Sequence, residues 1–532
     1  MKTDSRSQQQ KQEHSILQHS QVFTIRPSIK LYGSPIDYED SFKFLGLIFD
    51  SKLTWRPHIS TLKSKGKQMI GLLKSISAID WGADQKTLLH LYKLYIRSKI
   101  DFGSIVYQSA SQTTKQLIEP IAVECLRIAS GCFKSTPTES LQVITNEMPL
   151  EMRREHLTLK YFLKIKSQFS NPAFNSVIPP TDRLLINNKR LPQTVAIRAN
   201  RIVQEMSIPM NNMCPDFSYR ILNILTPTWS LHTPQINNEI CEFPKHSTSG
   251  QTYLREFDRV VLESYVGYTR LFTDGSKSEA GVGSAAVCEG TVRTASLPKQ
   301  ASIFSAELHA IHLALLIIRD HQEERFVIFT DSLSSIQAIQ NGYTANSVCR
   351  RLQHEMHDIL LTKTLELCWI PSHVGILGNE EADLNAKRAS LQAAQPIRLQ
   401  YTDWYPLLKE KFNEKWMSGW RVKPSKLRDL CDTSVVFTNT HMTRRGEIIM
   451  NRLRCGHTNL THGYLMNSNV REPPPGCPAC QDSTLTVHHL MLDCAALQRI
   501  RRQCFSIYQR RNNPSFVDIP GPNTKPNEVI IF

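Results

Sequence analysis

Between Thr269 and Arg388 short apolar runs alternate with amphipathic ones, and four times an acid stands where one of these runs ends or begins. Leu271-Phe272 leads into Thr273-Asp274-Gly275-Ser276, which reads as a strand ending in a tight turn. Gly281 to Val287 reads as a second strand, with glycines early where another backbone approaches, and Val292 to Ser296 as a third. Ser305-Ala306-Glu307 opens a helix with the stripe Leu308, Ile311, Leu315 and Ile318, and Glu307 lies one turn before Ile311, on the sheet side. His309 and His312 on that helix read as a solvated face. Phe326 to Phe329 is a continuous apolar run, as in a strand covered on both faces, and it ends in Thr330-Asp331-Ser332. Helices follow over Ser334 to Gln340 and around Val348 to Leu361, then a strand through Leu365, Leu367 and Trp369. After the loop Pro371-Ser372-His373-Val374-Gly375, Asp383 is expected in the first turn of a helix reaching Arg388. This alternation predicts an α/β domain, a sheet with flanking helices.

Each acid by itself is an ordinary turn residue or helix cap. Gathered at one sheet rim, Asp274, Glu307, Asp331 and Asp383 would repel one another unless cations neutralised them. All-oxygen ligands suit Mg²⁺ or Mn²⁺. Two such ions roughly 4 Å apart clamp the attacking and leaving oxygens of a phosphodiester. A polyanionic partner agrees with the formal net charge of +15.

The 532-residue chain is long enough for about three or four domains. Met1 to Ser20 is polar with no apolar signal core, and no run has the length of a membrane span. The 13 cysteines are thinly spread and do not form a disulfide framework. An intracellular protein, nuclear or cytoplasmic, with no membrane partner is expected. Near the start, Ile29 to Tyr32 and Phe44 to Phe49 read as strands. Ile59, Leu62, Gly66, Met69, Leu73 and Ile76 then trace an amphipathic helix. Gln85 to Lys99 is apolar nearly all round, as in a helix buried within a bundle, and further helices fall at Ile121 to Ala129 and Leu150 to Ser167. The Pro/Asn-rich stretch that follows reads as a linker with some helix of its own. Toward the C-terminus, Cys455-Gly456-His457 and His462 precede Cys477-Pro478-Ala479-Cys480 and His488-His489-Leu490-Met491-Leu492-Asp493-Cys494. A C-x₂-C pair followed by His and Cys is spaced for tetrahedral Zn²⁺.

Two stretches carry a family resemblance. Phe44-Leu45-Gly46-Leu47, Leu53-Thr54-Trp55 with His58-Ile59, and the helices through Arg127 resemble the segment after the polymerase palm in reverse transcriptases of jockey-type non-LTR retrotransposons. The palm's aromatic-x-Asp-Asp element occurs nowhere in the sequence, so DNA synthesis by this chain alone is not expected. Thr273-Asp274-Gly275-Ser276, Ser305-Ala306-Glu307-Leu308, Thr330-Asp331-Ser332, Trp369 to Gly375 and Gly378 to Asp383 resemble type 1 ribonuclease H, the retrotransposon variety most of all. The resemblance implies a ribonuclease H-like mixed sheet with flanking helices, preceded by a mainly helical thumb-like region and followed by a small zinc-binding module. It implies that Asp274, Glu307, Asp331 and Asp383 hold two Mg²⁺ ions, while His373 assists proton transfer or product release. The RNA strand of an RNA–DNA hybrid would be cut to leave a 5′-phosphate. Minor-groove 2′-hydroxyls would be read near the Gly275 backbone and Glu307. The basic handle of some cellular members is not evident between Asn341 and Lys363. Resemblance to the C-terminal module of the same polyproteins implies a structural Zn²⁺ on Cys477, Cys480, His489 and Cys494, with His488 an open alternative. That module would turn Arg452, Arg454, Arg499, Arg501 and Arg502 toward RNA or DNA.

The expected divisions are a tail (1–28), the thumb-like region (29–168), a linker (169–266), the ribonuclease H domain (267–394), a helical connector (395–440), the zinc module (441–510) and a tail (511–532). An integrase or transposase also places acids at such rims, but as three acids ending in a glutamate on the last helix; here that position is Asp383, and Glu307 is on the first helix. A catalytically silent nucleic-acid-binding remnant is the remaining alternative to a hybrid ribonuclease.

Overall fold

A computed structural model describes residues 30–35, 38–169, 171–178, 194–209, 230–243, 248–344, 346–423, 425–428, 442–462 and 475–504. The expected tails lie outside the described residues, as do 179–193 and 210–229 of the Pro/Asn-rich stretch. The chain divides into two compact units, one of residues 1–158, 188–198 and 411–532, the other of 159–187 and 199–410.

In the first unit, β1 (Lys30–Leu31) pairs with β2 (Ser34–Pro35). Phe44 to Phe49 is not one strand. β3 (Ser41–Phe44) turns at Leu45-Gly46 and returns as β4 (Leu47–Asp50). Leu45 and Gly46 both have positive φ, 45° and 88°, the geometry that matches a two-residue turn to the twist of its strands. α1 (Arg56–Ser75) follows. Its expected stripe faces the core: Ile59 and Leu73 are buried, and Leu62, Met69 and Ile76 pack against the same cluster. Gly66 is required there, because a Cβ would lie 2.6 Å from Ile121 Cγ2. α2 (Gln85–Leu91) continues through a π-helical turn over Tyr92–Arg97, and α3 (Glu119–Ser130) and α4 (Leu150–Ser167) follow, α4 belonging to this unit as far as residue 158. The stretch after Gln85 buries Leu88, Tyr92 and Ile96 but leaves Leu94 and Tyr95 exposed, so it is one-sided rather than enclosed.

The second unit is built on a six-stranded mixed sheet in the order β5 (Gln235–Asn237), β10 (Thr364–Trp369), β9 (Arg325–Thr330), β6 (Thr269–Lys277), β7 (Val282–Cys288), β8 (Thr291–Leu297). β5 is Gln235–Asn237 and α5 is Gly250–Ser264. Both lie in the stretch expected to link, yet β5 extends the sheet parallel to β10, and α5 covers one sheet face through Tyr253, Val260 and Val261. β6 (Thr269–Lys277), β7 (Val282–Cys288) and β8 (Thr291–Leu297) form an antiparallel meander. α6 (Ile303–Asp320), β9 (Arg325–Thr330), α7 (Leu333–Gln340), α8 (Ser347–Leu360), β10 (Thr364–Trp369) and α9 (Leu377–Ser390) follow, with β9 parallel to both β6 and β10. Phe326 to Phe329 is wholly buried, as a strand covered on both faces should be. His309 does not lie on a solvated face: its Nδ1 is 2.9 Å from Ser284 Oγ, and burial lowers its pKa to about 4. His312 pairs with Glu355 at 2.8 Å. Among the described residues no helix is long and apolar enough to cross a membrane.

α10 (Trp404–Val422) runs onward, and α11 (Arg444–Arg454) lies in the same unit as the N-terminal helices. Arg444 donates to the carbonyls of Ala129 (2.7 Å) and Ile128 (2.8 Å), satisfying the end of α3 where the helix dipole favours a cation. Asn451 bonds Gln85 and the Ser130 carbonyl, and Glu447 accepts from the Gln85 amide. Gly131, at φ 68°, lets the two helices close, since a Cβ there would lie 2.4 Å from Ile448.

Candidate active site and metal centres

Asp274 lies within β6, not at its end. The strand runs on through Gly275, Ser276 and Lys277, paired with Ser284, Gly283 and Val282 of β7. On the other side, pairing with β9 stops at Thr273 opposite Thr330. Asp274 and Asp331 are each the residue after that last rung, which brings them side by side at the rim. The tight turn expected at Asp-Gly-Ser is absent because β7 supplies a partner for those backbone groups. Gly275 serves instead for close approach: a Cβ there would stand 2.7 Å from the Glu307 nitrogen and 2.9 Å from the Ala306 carbonyl carbon.

Ser302 caps α6, its hydroxyl accepting from the Ser305 amide, and Glu307 follows in the second turn. Oxygens of Asp274, Glu307 and Asp331 all lie within 4.8 Å of one another. Burial, and then the charges of Asp331 and Asp383, push the Asp274 carboxyl up to about 7. Burial, and then Asp274 and Asp331, push Glu307 up to about 9. Among the described residues Glu307 Oε2 is buried without a hydrogen-bond partner. Hard oxygen donors, mutual repulsion and an orphaned carboxylate oxygen together fit a divalent cation such as Mg²⁺ or Mn²⁺.

Asp383 falls in the second turn of α9, not the first, because the helix begins at Leu377. Its oxygens group with His373 and Glu380 within 4.8 Å, and its charge still reaches Asp274. Lys387, one turn on, donates to Asp383 at 2.6 Å. His373 is exposed and has a positive φ of 55°, in the loop before α9. Glu380 is the residue the motif reading passed over. Its three-residue spacing from Asp383 puts both on one helix face, and Glu380 Oε1 accepts from the Gly375 amide at 3.3 Å.

The cysteine–histidine cluster belongs to the other unit. Ligand atoms of Cys477, Cys480, His489 and Cys494 converge within 4.8 Å. Cys480 Sγ is 3.3 Å from His489 Nε2, and Cys477 Sγ is 3.8 Å from Cys494 Sγ. The backbone amides of Cys480 and Ala479 lower the Cys477 thiol to about 6, favouring the thiolate that binds metal. His488 is exposed and pairs with Asp493 at 2.9 Å, so His489 is the histidine that the fold brings to the thiols. Soft sulfur plus imidazole in this number fits zinc. The arginines do not all face outward as expected. Arg454 and Arg501 are buried, and Arg452 donates to the Gly131 carbonyl and lies over the Phe133 ring; Arg499 and Arg502 are exposed.

Residues 267–391 match the RNase H family. The chain is 25% identical over 136 residues to a retrovirus-related Pol polyprotein from the type-1 retrotransposable element R1 4 of Nasonia vitripennis, which is 26% of this chain and 35% of that protein. It is 25% identical over 130 residues to the corresponding R1 polyprotein of Bradysia coprophila, 24% of this chain and 13% of that one. The shared stretch is thus well under two thirds of either relative's length. The chain carries an RNase H domain and is homologous to R1 non-LTR retrotransposon polyproteins.

Proposed function

We propose that the chain hydrolyses the RNA strand of RNA–DNA hybrids with divalent metal, Mg²⁺ foremost, as part of a retrotransposon-derived protein, this chain itself lacking the polymerase catalytic motif. The observation that carries this reading is the convergence of Asp274, Glu307 and Asp331 beside the Asp383 group. Asp274, Glu307, Asp331 and Asp383 are the residues that would hold two Mg²⁺ ions, with Mn²⁺ as a substitute. Bound there, the ions supply the positive charge that activates water and balances the leaving oxygen. Asp274 and Asp331, fixed one step beyond a shared rung of the sheet, give that charge a rigid seat. Glu307 and the backbone at Gly275 border the seat and would meet the hybrid's minor groove, where 2′-hydroxyls distinguish RNA from DNA. His373 would assist proton transfer or product release, a role supported by its exposure on the loop and its grouping with Asp383 and Glu380. Cleavage of the P–O3′ bond by water leaves a 5′-phosphate and a 3′-hydroxyl. Zn²⁺ on Cys477, Cys480, His489 and Cys494 would be structural, since all four positions are protein ligands.

The test is a hybrid labelled on either strand, incubated with the chain and Mg²⁺, Mn²⁺ or a chelator, beside RNA and DNA duplexes. Metal-dependent cutting of the RNA strand of the hybrid alone is expected. Cutting that survives chelation, or that ignores strand chemistry, contradicts the reading. No cutting at all would favour a silent binding remnant.

A further inference from the structure

The first turn of α6 leads into Glu307 in the second, and beyond the local Ser302 cap that turn is also held from outside the matched segment. Past residue 391 the chain returns across the domain. The Gln395 amide donates to the Ser296 carbonyl at 2.8 Å, and the Ser296 hydroxyl donates to the Gln392 carbonyl at 3.0 Å. Leu399, Gln400, Asp403 and Trp404 are then all buried. The Gln400 amide meets the Ser347 hydroxyl at the start of α8. Asp403 turns its carboxylate onto the start of α6. Its Oδ1 accepts from the Ser302 amide (3.0 Å), the Ser302 hydroxyl (2.6 Å) and the Ser305 hydroxyl (2.9 Å). Its Oδ2 accepts from the Ser305 hydroxyl (2.9 Å) and the Gln400 amide (3.2 Å). A carboxylate at a helix N-terminus is favoured by the unpaired amides and by the dipole.

Two forces act on the turn that Asp403 holds. Glu307 is buried 8% exposed, beside two other acids, so repulsion and desolvation drive it outward. The strand behind it leaves little room, because a single Cβ on Gly275 would stand 2.7 Å from the Glu307 nitrogen. A local serine cap would fix the helix end but not its depth against the sheet. Asp403 ties that end to a segment itself anchored by Leu399 and Trp404. We propose that Asp403 is a positioning residue for hydrolysis, setting the depth at which α6 presents Glu307 to the other acids. The proposal rests on the hybrid-ribonuclease reading.

The experiment compares the full chain with Asp403→Ala, Asp403→Asn, Ser305→Ala and the Asp403→Ala/Ser305→Ala double variant. Hybrid cleavage (kcat and KM), Mg²⁺ half-saturation and the rise in melting temperature on adding Mg²⁺ are measured for each. Asp403→Ala should lower kcat on the order of tenfold to a hundredfold with KM for hybrid nearly unchanged. It should also raise the Mg²⁺ half-saturation and shrink the Mg²⁺-induced melting shift. The double variant should be little worse than Asp403→Ala, because the two changes break one contact. Asp403→Asn, which keeps one acceptor oxygen, should recover part of the rate, and it decides the matter with Ser305→Ala if the alanine variant does not fold. Folded variants with wild-type kcat and Mg²⁺ response overturn the proposal, as does a rate loss that vanishes when each variant is assayed equally far below its own melting point. An active wild type with indifferent variants refutes the positioning role alone. An inactive wild type refutes the ribonuclease reading, and the positioning role with it.

Discussion

Asp274 and Glu307 are ionised only against the resistance of their surroundings. Burial first, and neighbouring acids second, raise them to about 7 and about 9. A carboxyl whose pKa is higher folded than unfolded stabilises the fold while protonated. That contribution is complete below about pH 4, the unfolded value, and is lost as pH rises through 7 and then 9. The metal-free chain should therefore melt at progressively lower temperature from pH 5 to pH 9. Mg²⁺ should restore most at the alkaline end, where both carboxylates are charged. Melting curves with Mg²⁺ or chelator across that range check this, and an equal Mg²⁺ increment at both extremes contradicts it. Lys387 belongs to the same balance. It donates to Asp383 at 2.6 Å, so a cation binding at Asp383 displaces or shares that contact.

At the scale of elements, glycines decide how closely helices meet the sheet. A Cβ on Gly283 would stand 2.2 Å from the Ala386 carbonyl oxygen and 2.5 Å from the Ser390 amide, both backbone atoms of α9. Gly283→Ala should cost about 1–3 kcal/mol in chemical denaturation. It should also slow cleavage, because Asp383 rides on α9; unchanged stability and rate would show that the contact has slack. This close approach was legible in the sequence, as were the paired periods of strands and helices; of the four acids, Asp274, Glu307 and Asp331 converge, while Asp383 groups with His373 and Glu380. What was not legible has a physical pattern. Ser276 and Lys277 look like turn and loop, yet they are strand because β7 pairs with them. Some helix was expected in the stretch read as linker, but nothing local shows that the α5 stripe of Tyr253, Phe257, Val260 and Val261 packs on the sheet. Asp403 finds its serine partners about a hundred residues earlier in the chain, a distance at which no spacing rule speaks.

At the scale of the chain, segments far apart in sequence share one compact unit. Residues 1–158 and 411–532 fall in one compact unit, with α11 docked on α3 and with Met450 of α11 packed against Val487 and Met491 of the Cys/His module. Arg452, Arg454 and Arg501, which look in sequence like a nucleic-acid-facing run, are spent on this packing. Cys480→Ser should lose a stoichiometric zinc and lower the melting temperature, since metal and fold are linked in so small a module. Absence of stoichiometric metal in the native chain, with no effect of chelation on melting, would remove the zinc claim. The most direct measurement of the central claim is cleavage of an RNA-labelled RNA–DNA hybrid in Mg²⁺ by the native chain and by Asp331→Asn. RNA fragments with 5′-phosphates are expected from the native chain and background from the variant; equal cleavage by the two, at any level, contradicts hydrolysis at this site.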